Sequence, residues 1–187
     1  MNGEHGTCRV LLLCGSLRQG STNGALLATA RVVAPDGVEA VPFDGAAGLS
    51  HFNPDDDAEP LPAGVADLRR SLGDADALLI STPEYAGALP GSFKNVFDWA
   101  VGGGEIYEKP VAWVNVATSS GGAANAHRSL RLVLGYAGTD IVEDACTAIP
   151  VQRADVGPDG LVTDPAKRAE LTVVLRTLAD HVRLRRT

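Results

Sequence analysis

A three-layer α/β fold, with helices on both faces of a doubly wound, five-stranded parallel sheet, is what this sequence predicts. Three observations lead there. Short runs rich in Val, Ile and Leu alternate with longer stretches of helical spacing, the alternation recurs five times, and the runs are apolar on both faces. Alternating strands and helices build βαβ units, whose right-handed crossovers set the strands parallel.

The first apolar run, residues 8–14 (CRVLLLC), reads as a buried strand and leads to a helix over 23–34. A second strand spans 38–43, a helix 63–72 and a third strand 77–81. Then come a helix over 91–101, a strand over 111–117 and a helix over 123–136. The last strand is expected near 141–149, and Pro165 opens a closing helix to about 184, because the fixed φ of Pro suits a first helical turn. Residues 44–62, rich in Gly, Pro and Asp, read as a surface loop, and 102–108 as a second, mobile one. Without repeat or composition break, residues 1–187 are expected to form a single domain with a flexible N-terminus at 1–7.

Of the 187 residues 45% are hydrophobic, enough to bury a sheet between two helical layers. The apolar runs fall well short of the roughly 20 residues that cross a bilayer. No basic and apolar leader follows Met1, so a soluble protein in the cytoplasm, without membrane contact, is expected. The net charge of -7 argues against a nucleic-acid surface, which needs concentrated Lys and Arg. Cys8, Cys14 and Cys146 lack paired spacing and read as reduced core residues. His5, His51, His127 and His181 are scattered without ligand partners, so no metal is expected.

In an open α/β sheet a ligand lies beyond the carboxyl ends of the strands, where strand order reverses. The loops after the first, third and fourth strands therefore carry the chemistry. The first, GSLRQGSTN (15–23), joins a buried strand directly to a helix. Its glycines permit a tight turn, its hydroxyls donate hydrogen bonds, and the next helix points its positive end into the loop. This is a phosphate cradle. A P-loop needs Lys where Ser21 stands, a dinucleotide loop needs Gly where Leu17 stands, and a cysteine phosphatase needs Arg where Gly20 stands. The competing reading is a plain turn with Ser21 or Thr22 as helix cap.

The second loop, TPEYAGALPGSFKN (82–95), is stiffened by two prolines. It exposes N–H groups around residues 84–87, and Tyr85 adds a flat face, a shelf for a planar ring with polar edges. Phe93, Phe97 and Trp99, on the following helix, are expected in the core. The third loop, TSSGGAAN (118–125), presents two adjacent glycines whose backbone approaches a flat or anionic ligand closely.

With these residues in view, the chain resembles the NADPH-dependent FMN reductase family, which includes quinone, chromate and azo-dye reductases. GSLRQGSTN matches the family's G-S-x-R-x-x-S-x-N loop, and PEYAGALPGSFKN looks like its P-E-Y-N-x-x-x-P-G-x-L-K-N segment. The similarity runs over about residues 8–150. It implies a flavodoxin-like sheet with strand order 2-1-3-4-5. It further implies that Ser16, Arg18, Ser21, Thr22 and Asn23 hold the FMN phosphate. Pro83, Glu84, Tyr85, Ala86 and Gly87 would line one side of the isoalloxazine and ribityl chain, and Ser119, Ser120, Gly121 and Gly122 the other. Ala86 replaces a usual Asn, which removes one amide near the flavin, and His127 lies near a usual Gln.

FMN carries the difficult chemistry in such proteins, so no catalytic side chain is expected, and His127 reads as a surface histidine rather than a proton donor. The resemblance implies an FMN-dependent oxidoreductase that passes electrons by a ping-pong route from NADPH (or NADH) to a small acceptor. That acceptor is a quinone, an azo or nitro compound, chromate or free flavin. The alternatives are a flavodoxin-type electron carrier without NADPH turnover, against which the second-loop motif speaks, and a relative that has lost FMN. Assembly as a homodimer or homotetramer, with 102–108 near a partner, is a further implication.

Overall fold

The computed structural model describes residues 6–186, so His5 and the first five of the residues expected in a flexible N-terminus lie outside the described residues. The strands are β1 (Cys8–Cys14), β2 (Val38–Pro42), β3 (Ala77–Ser81), β4 (Pro110–Asn115), β5 (Asp140–Ile141) and β6 (Thr147–Ala148). The helices are α1 (Thr22–Val32), α2 (Ala63–Gly73), α3 (Gly91–Gly103), α4 (Ala124–Tyr136) and α5 (Pro165–Arg185). The sheet is parallel throughout in the expected order β2-β1-β3-β4-β5, and β6 pairs with β4.

Every residue of β3 is buried, and alternate residues of β1 and β3 serve opposite layers. Val10, Leu12, Ala77 and Leu79 pack with Leu26, Leu175 and Leu178 of α1 and α5. Leu11, Leu13, Leu78 and Ile80 face the other way, toward Leu68, Phe93 and Phe97 of α2 and α3. A side chain of this size contributes about 1.5–3 kcal/mol by leaving water. Both faces are therefore apolar, and the strands show no alternation. Phe93, Phe97 and Trp99 are buried as expected.

The expected strand at 141–149 is interrupted, so the sheet has six strands rather than five. Val111 pairs with Ile141 and Val114 with Thr147, so three steps along β4 face six along the edge. A single-turn 3-10 helix, Glu143–Ala145, takes up the excess. A carboxylate inside a covered sheet would lose its hydration without a partner. The turn instead carries Glu143 outward to Arg131, with an Nη2–Oε2 distance of 2.9 Å, while Ala145 stays buried.

Other boundaries shift for local reasons. α1 stops at Val32 ahead of Pro35, which disfavours helical geometry in the residue before it. β4 stops at Asn115, whose Oδ1 accepts the Ala117 N–H at 2.9 Å and turns the chain away. The loop at 44–62 lies at the surface but is held down. The Ser50 carbonyl accepts from Asn95 Nδ2 and Trp99 Nε1, both at 2.8 Å, and Phe52 meets Trp99 edge-on. The segment predicted as a mobile loop, 102–108, begins inside α3 and is anchored by the buried Ile106 and a 2.8 Å bond from the Glu108 N–H to the Gly138 carbonyl. Among the described residues no helix is long and apolar enough to cross a membrane.

At the ends of β1 and β3 the Gly15 N–H donates to the Ser81 carbonyl at 2.9 Å. A Cβ at Gly15 would lie 2.1 Å from Thr82 Oγ1 and 3.0 Å from Thr82 Cα. Gly15→Ala is therefore expected to destabilise the fold by about 1–3 kcal/mol. The reading is a lower urea midpoint with an unchanged m-value; an unmoved midpoint would show that the two strand ends are not in close contact.

Candidate functional site

The three glycine-bearing loops meet at one edge of the sheet, around a cleft of about 320 Å³ lined by Thr22, Asn23, Pro83, Glu84, Ser119 and Gly122 among others. Each loop is positioned by polar groups of its neighbours.

In the first loop Ser21 caps α1, its Oγ accepting the Gly24 N–H at 3.0 Å. The cap that a plain turn would have is thus present, but it satisfies only one orphan donor of the helix. The N–H groups of Thr22 and Asn23, in the first turn, have no partner among the described residues. The Arg18 guanidinium, exposed to solvent, has none either, and Ser16 Oγ accepts the Arg18 N–H at 3.4 Å. Asn23 turns its carboxamide inward: Ser81 Oγ lies 2.9 Å from Asn23 Oδ1 and 3.0 Å from the Val114 carbonyl, tying α1 to β3 and β4. Cys14 is half-buried at the strand end, and burial raises its thiol pKa.

In the second loop the N–H and carbonyl of Tyr85 exchange 3.1 Å bonds with those of Ala88, closing a two-residue turn. Both central residues have positive φ, 51° at Ala86 and 75° at Gly87, the pattern of a type I′ turn, for which Asn-Gly is favoured. Ala86 thus occupies a left-handed position that Asn tolerates better, so the family's usual Asn suits the turn as well as any ligand. The Tyr85 N–H, expected to be exposed, is used inside the turn; those of Glu84, Ala86 and Gly87 have no partner among the described residues.

Glu84 does more than line the cleft. α4 begins after Ala123, which has a φ of 60° and offers no side-chain cap. Glu84 Oε2 accepts the N–H groups of Asn125 at 2.9 Å and Ala126 at 3.2 Å, and Oε1 lies 3.3 Å from Asn125 Nδ2. The carboxylate caps the helix from the neighbouring loop, and the N–H groups of Ala126 and Asn125 hold its pKa below the ordinary value.

One neighbour of the site escaped the sequence reading. Asn115 donates from Nδ2 to the Gly122 carbonyl at 2.9 Å and so sets the third loop. A polar residue closing an apolar strand beside a glycine pair is the signal that points to it. The Ser119, Ser120 and Gly121 N–H groups are left without partners among the described residues. On the far side of this loop lies a larger cleft, about 600 Å³, whose wall includes Trp113, His127 and Arg131. His127, predicted as a surface histidine, is half-buried, its ring centroid 6.1 Å from that of Trp113. Positions 127, 130 and 134 share one face of α4, which brings His127 to the flank of buried Leu130 and Leu134.

The arrangement offers a cluster of unpartnered backbone donors, one free guanidinium and few committed side chains. It suits an anionic ester at α1 and a flat polar-edged ring between the second and third loops. The sequence profile of the family described as NADPH-dependent FMN reductase matches residues 8–153. An NAD(P)H-dependent FMN reductase of Pseudomonas aeruginosa is 36% identical over 130 residues, 68% of this chain and 70% of that one. A 2-hydroxy-1,4-benzoquinone reductase of a Burkholderia species is 29% identical over 95% of this chain and 98% of its own. Among solved structures FerB of Paracoccus denitrificans, a flavoenzyme NAD(P)H:(acceptor) oxidoreductase, superposes with a TM-score of 0.82 at 29% identity, covering 95% of this chain and 98% of FerB.

A carboxyl whose folded pKa lies below its unfolded value stabilises the fold fully above the unfolded value and loses that contribution as pH falls through the folded one. The amide proton shifts of Asn125 and Ala126 are therefore expected to titrate together, with a midpoint below the usual Glu value. Glu84→Ala is expected to abolish that step in NMR titrations; a step that survives the substitution would refute the cap.

Proposed function

The chain belongs to the NADPH-dependent FMN reductase family, and from that premise we propose that it holds FMN where its three loops converge and reduces a small acceptor with NADPH or NADH. The observation that carries this reading is the set of unpartnered donors at the start of α1. The Thr22 and Asn23 N–H groups and the Arg18 guanidinium are those donors, and with the Ser16 hydroxyl and Ser21, whose Oγ already caps α1, they are what a phosphomonoester dianion requires. The N–H groups of Glu84, Ala86 and Gly87, with the exposed ring of Tyr85, serve one side of a planar ring system, and those of Ser119, Ser120 and Gly121 the other, with Pro83 and Gly122 completing the walls. When bound, FMN supplies hydride transfer between the nicotinamide donor and the acceptor in two separate half-reactions, which makes the kinetics ping-pong. The chain's own residues bind, orient and donate hydrogen bonds to developing negative charge.

Quinones lead the acceptor classes, supported by the names of the Burkholderia relative and of an Escherichia coli quinone reductase that is 34% identical over 64% of each chain. Azo and nitro compounds, chromate and free flavin belong to the same reading, as do a single domain over 1–187 and a cytoplasmic location. A homodimer, or a homotetramer built on it, is supported by an apolar groove of about 520 Å³ between α3 and α4. Its rim residues Leu132 and Tyr136 are 76% and 88% exposed, and large apolar residues clustered in that way mark contact surfaces.

Purified protein is expected to be yellow or to take up added FMN, and to oxidise NADPH with a quinone at equal rates under air and argon. Arg18→Ala is expected to weaken FMN binding about 10–100-fold, the effect of one hydrogen bond to a charged group, and to leave riboflavin binding unchanged. Colourless protein that refuses FMN would end this reading, and FMN uptake without NADPH turnover would favour a carrier. Sedimentation at micromolar concentration is expected to show a dimer that the double variant Leu132→Asp, Tyr136→Asp dissociates; a monomeric parent would remove the assembly.

A further inference from the structure

The cleft of about 600 Å³ beyond the third loop adjoins the one assigned above to FMN, because Asn115, Ala117, Thr118, Ser119 and Gly122 line both. Thr118, Ser120 and Thr147 are exposed on its walls, and their hydroxyls have no partner among the described residues. At the other end stand two opposite charges, Arg131 and Glu143, both of which border the cleft. Arg131 follows Ala124, which lines the same space, by two turns of α4, roughly 10 Å along the axis.

These charges are open to the cleft's contents. The Arg131 side chain is 50% exposed and that of Glu143 58%. The guanidinium lies 5.0 Å from the centroid of the Trp113 ring, and its Nη1 and Nη2 donate to the two carboxylate oxygens of Glu143. Those hydrogen bonds hold the Glu143 carboxyl below the usual carboxylate range, so both partners are ionised at neutral pH and this end of the cleft carries no net charge. A guanidinium has five N–H groups, so donors remain beyond the two that Glu143 takes.

A cleft that starts at a flavin site, continues past free hydroxyls and ends at a planar cation suits a long ligand with a ring at each end and an anionic middle. A nicotinamide dinucleotide is such a ligand: its pyrophosphate meets the hydroxyls, and its adenine stacks on the guanidinium. In nucleotide sites an acidic side chain accepts from a ribose 2′-hydroxyl and an Arg takes a 2′-phosphate. Here one of each, already joined, faces the same space.

We propose that the Arg131–Glu143 pair reads the 2′ position of the adenosine of the nicotinamide nucleotide and, being neutral as a unit, admits the hydroxyl of NADH and the phosphate of NADPH with little preference. The phosphate gains the remaining Arg131 donors and is repelled by Glu143; the hydroxyl donates to Glu143. The ligand class rests on the reductase reading, but the test needs neither FMN nor turnover.

The probes are adenosine 2′,5′-bisphosphate and adenosine 5′-monophosphate, which differ by one phosphate, titrated into 15N-labelled protein with and without FMN and followed by amide shifts. The parent is expected to bind the two within about fivefold of each other. Glu143→Gln is expected to tighten the bisphosphate about tenfold and Arg131→Gln to weaken it about tenfold, the effect of a hydrogen bond to a charged group, with the monophosphate unchanged in both. The double variant, neutral again, and Arg131→Lys, which keeps the charge, are expected to return to near the parent's ratio. Should Arg131→Gln fail to fold once the cover over Trp113 is altered, Glu143→Gln and Arg131→Lys still decide. A parent that separates the probes by more than fivefold or binds neither, a ratio unmoved by the single substitutions, or equal losses for both probes overturns the assignment. Protein that oxidises NADPH with a quinone yet fails these tests loses this assignment alone, whereas protein that passes them yet never binds FMN loses the redox reading alone.

Discussion

The crevice between β1 and β3 is the constraint on which the rest of the molecule depends. β1 pairs with β2 on one edge and with β3 on the other, all parallel. The chain leaving β1 crosses to the layer of α1 and α5, and the chain leaving β3 crosses to the layer of α2, α3 and α4. The two exits diverge to opposite faces, and a ligand can enter between them. Close contact at their base, with Gly15 against Thr82, keeps the crevice narrow enough for backbone amides from both loops to face one occupant.

Polar cross-links then hold the three loops in a common geometry. Asn23 reaches Ser81, which also contacts the Val114 carbonyl; Glu84 caps a helix that belongs to the next loop; Asn115 reaches Gly122. In each case a side chain of one element satisfies an orphan group of another. Such bonds are worth little net, but breaking one strands a partly buried partner, so the loops are coupled. The groups left over are backbone N–H donors, whose positions do not depend on side-chain rotamers. That is the preorganisation that binding and charge stabilisation require.

The edge strand shows how charge overrides periodicity. Residues 141–149 carry the β-forming pattern at both ends, but Glu143 and Asp144 sit in the middle. Ejecting them splits the strand into β5 and β6, and the resulting turn places Glu143 beside Arg131 and Trp113. The larger cleft beside the third loop is a consequence of that break.

Burial on both faces made the strands legible, since β1 and β3 could be apolar throughout only inside a covered sheet. The first loop was legible for a related reason: tight turns need Gly, and Ser21 is a good cap wherever it stands. The resemblance of two long motifs then supplied the family and the strand order. Local sequence by itself thus determined the layers and the three loops that meet at one edge of the sheet. Only the tertiary structure decided what each of them does there. Glu84 became a cap for α4, Asn23 a tie to β3, Ala86 a left-handed turn residue and His127 a half-buried neighbour of Trp113. The roles of Glu84 and Asn23 depend on partners 41 and 58 residues away along the chain, and no local pattern encodes which orphan group a side chain meets when the layers close.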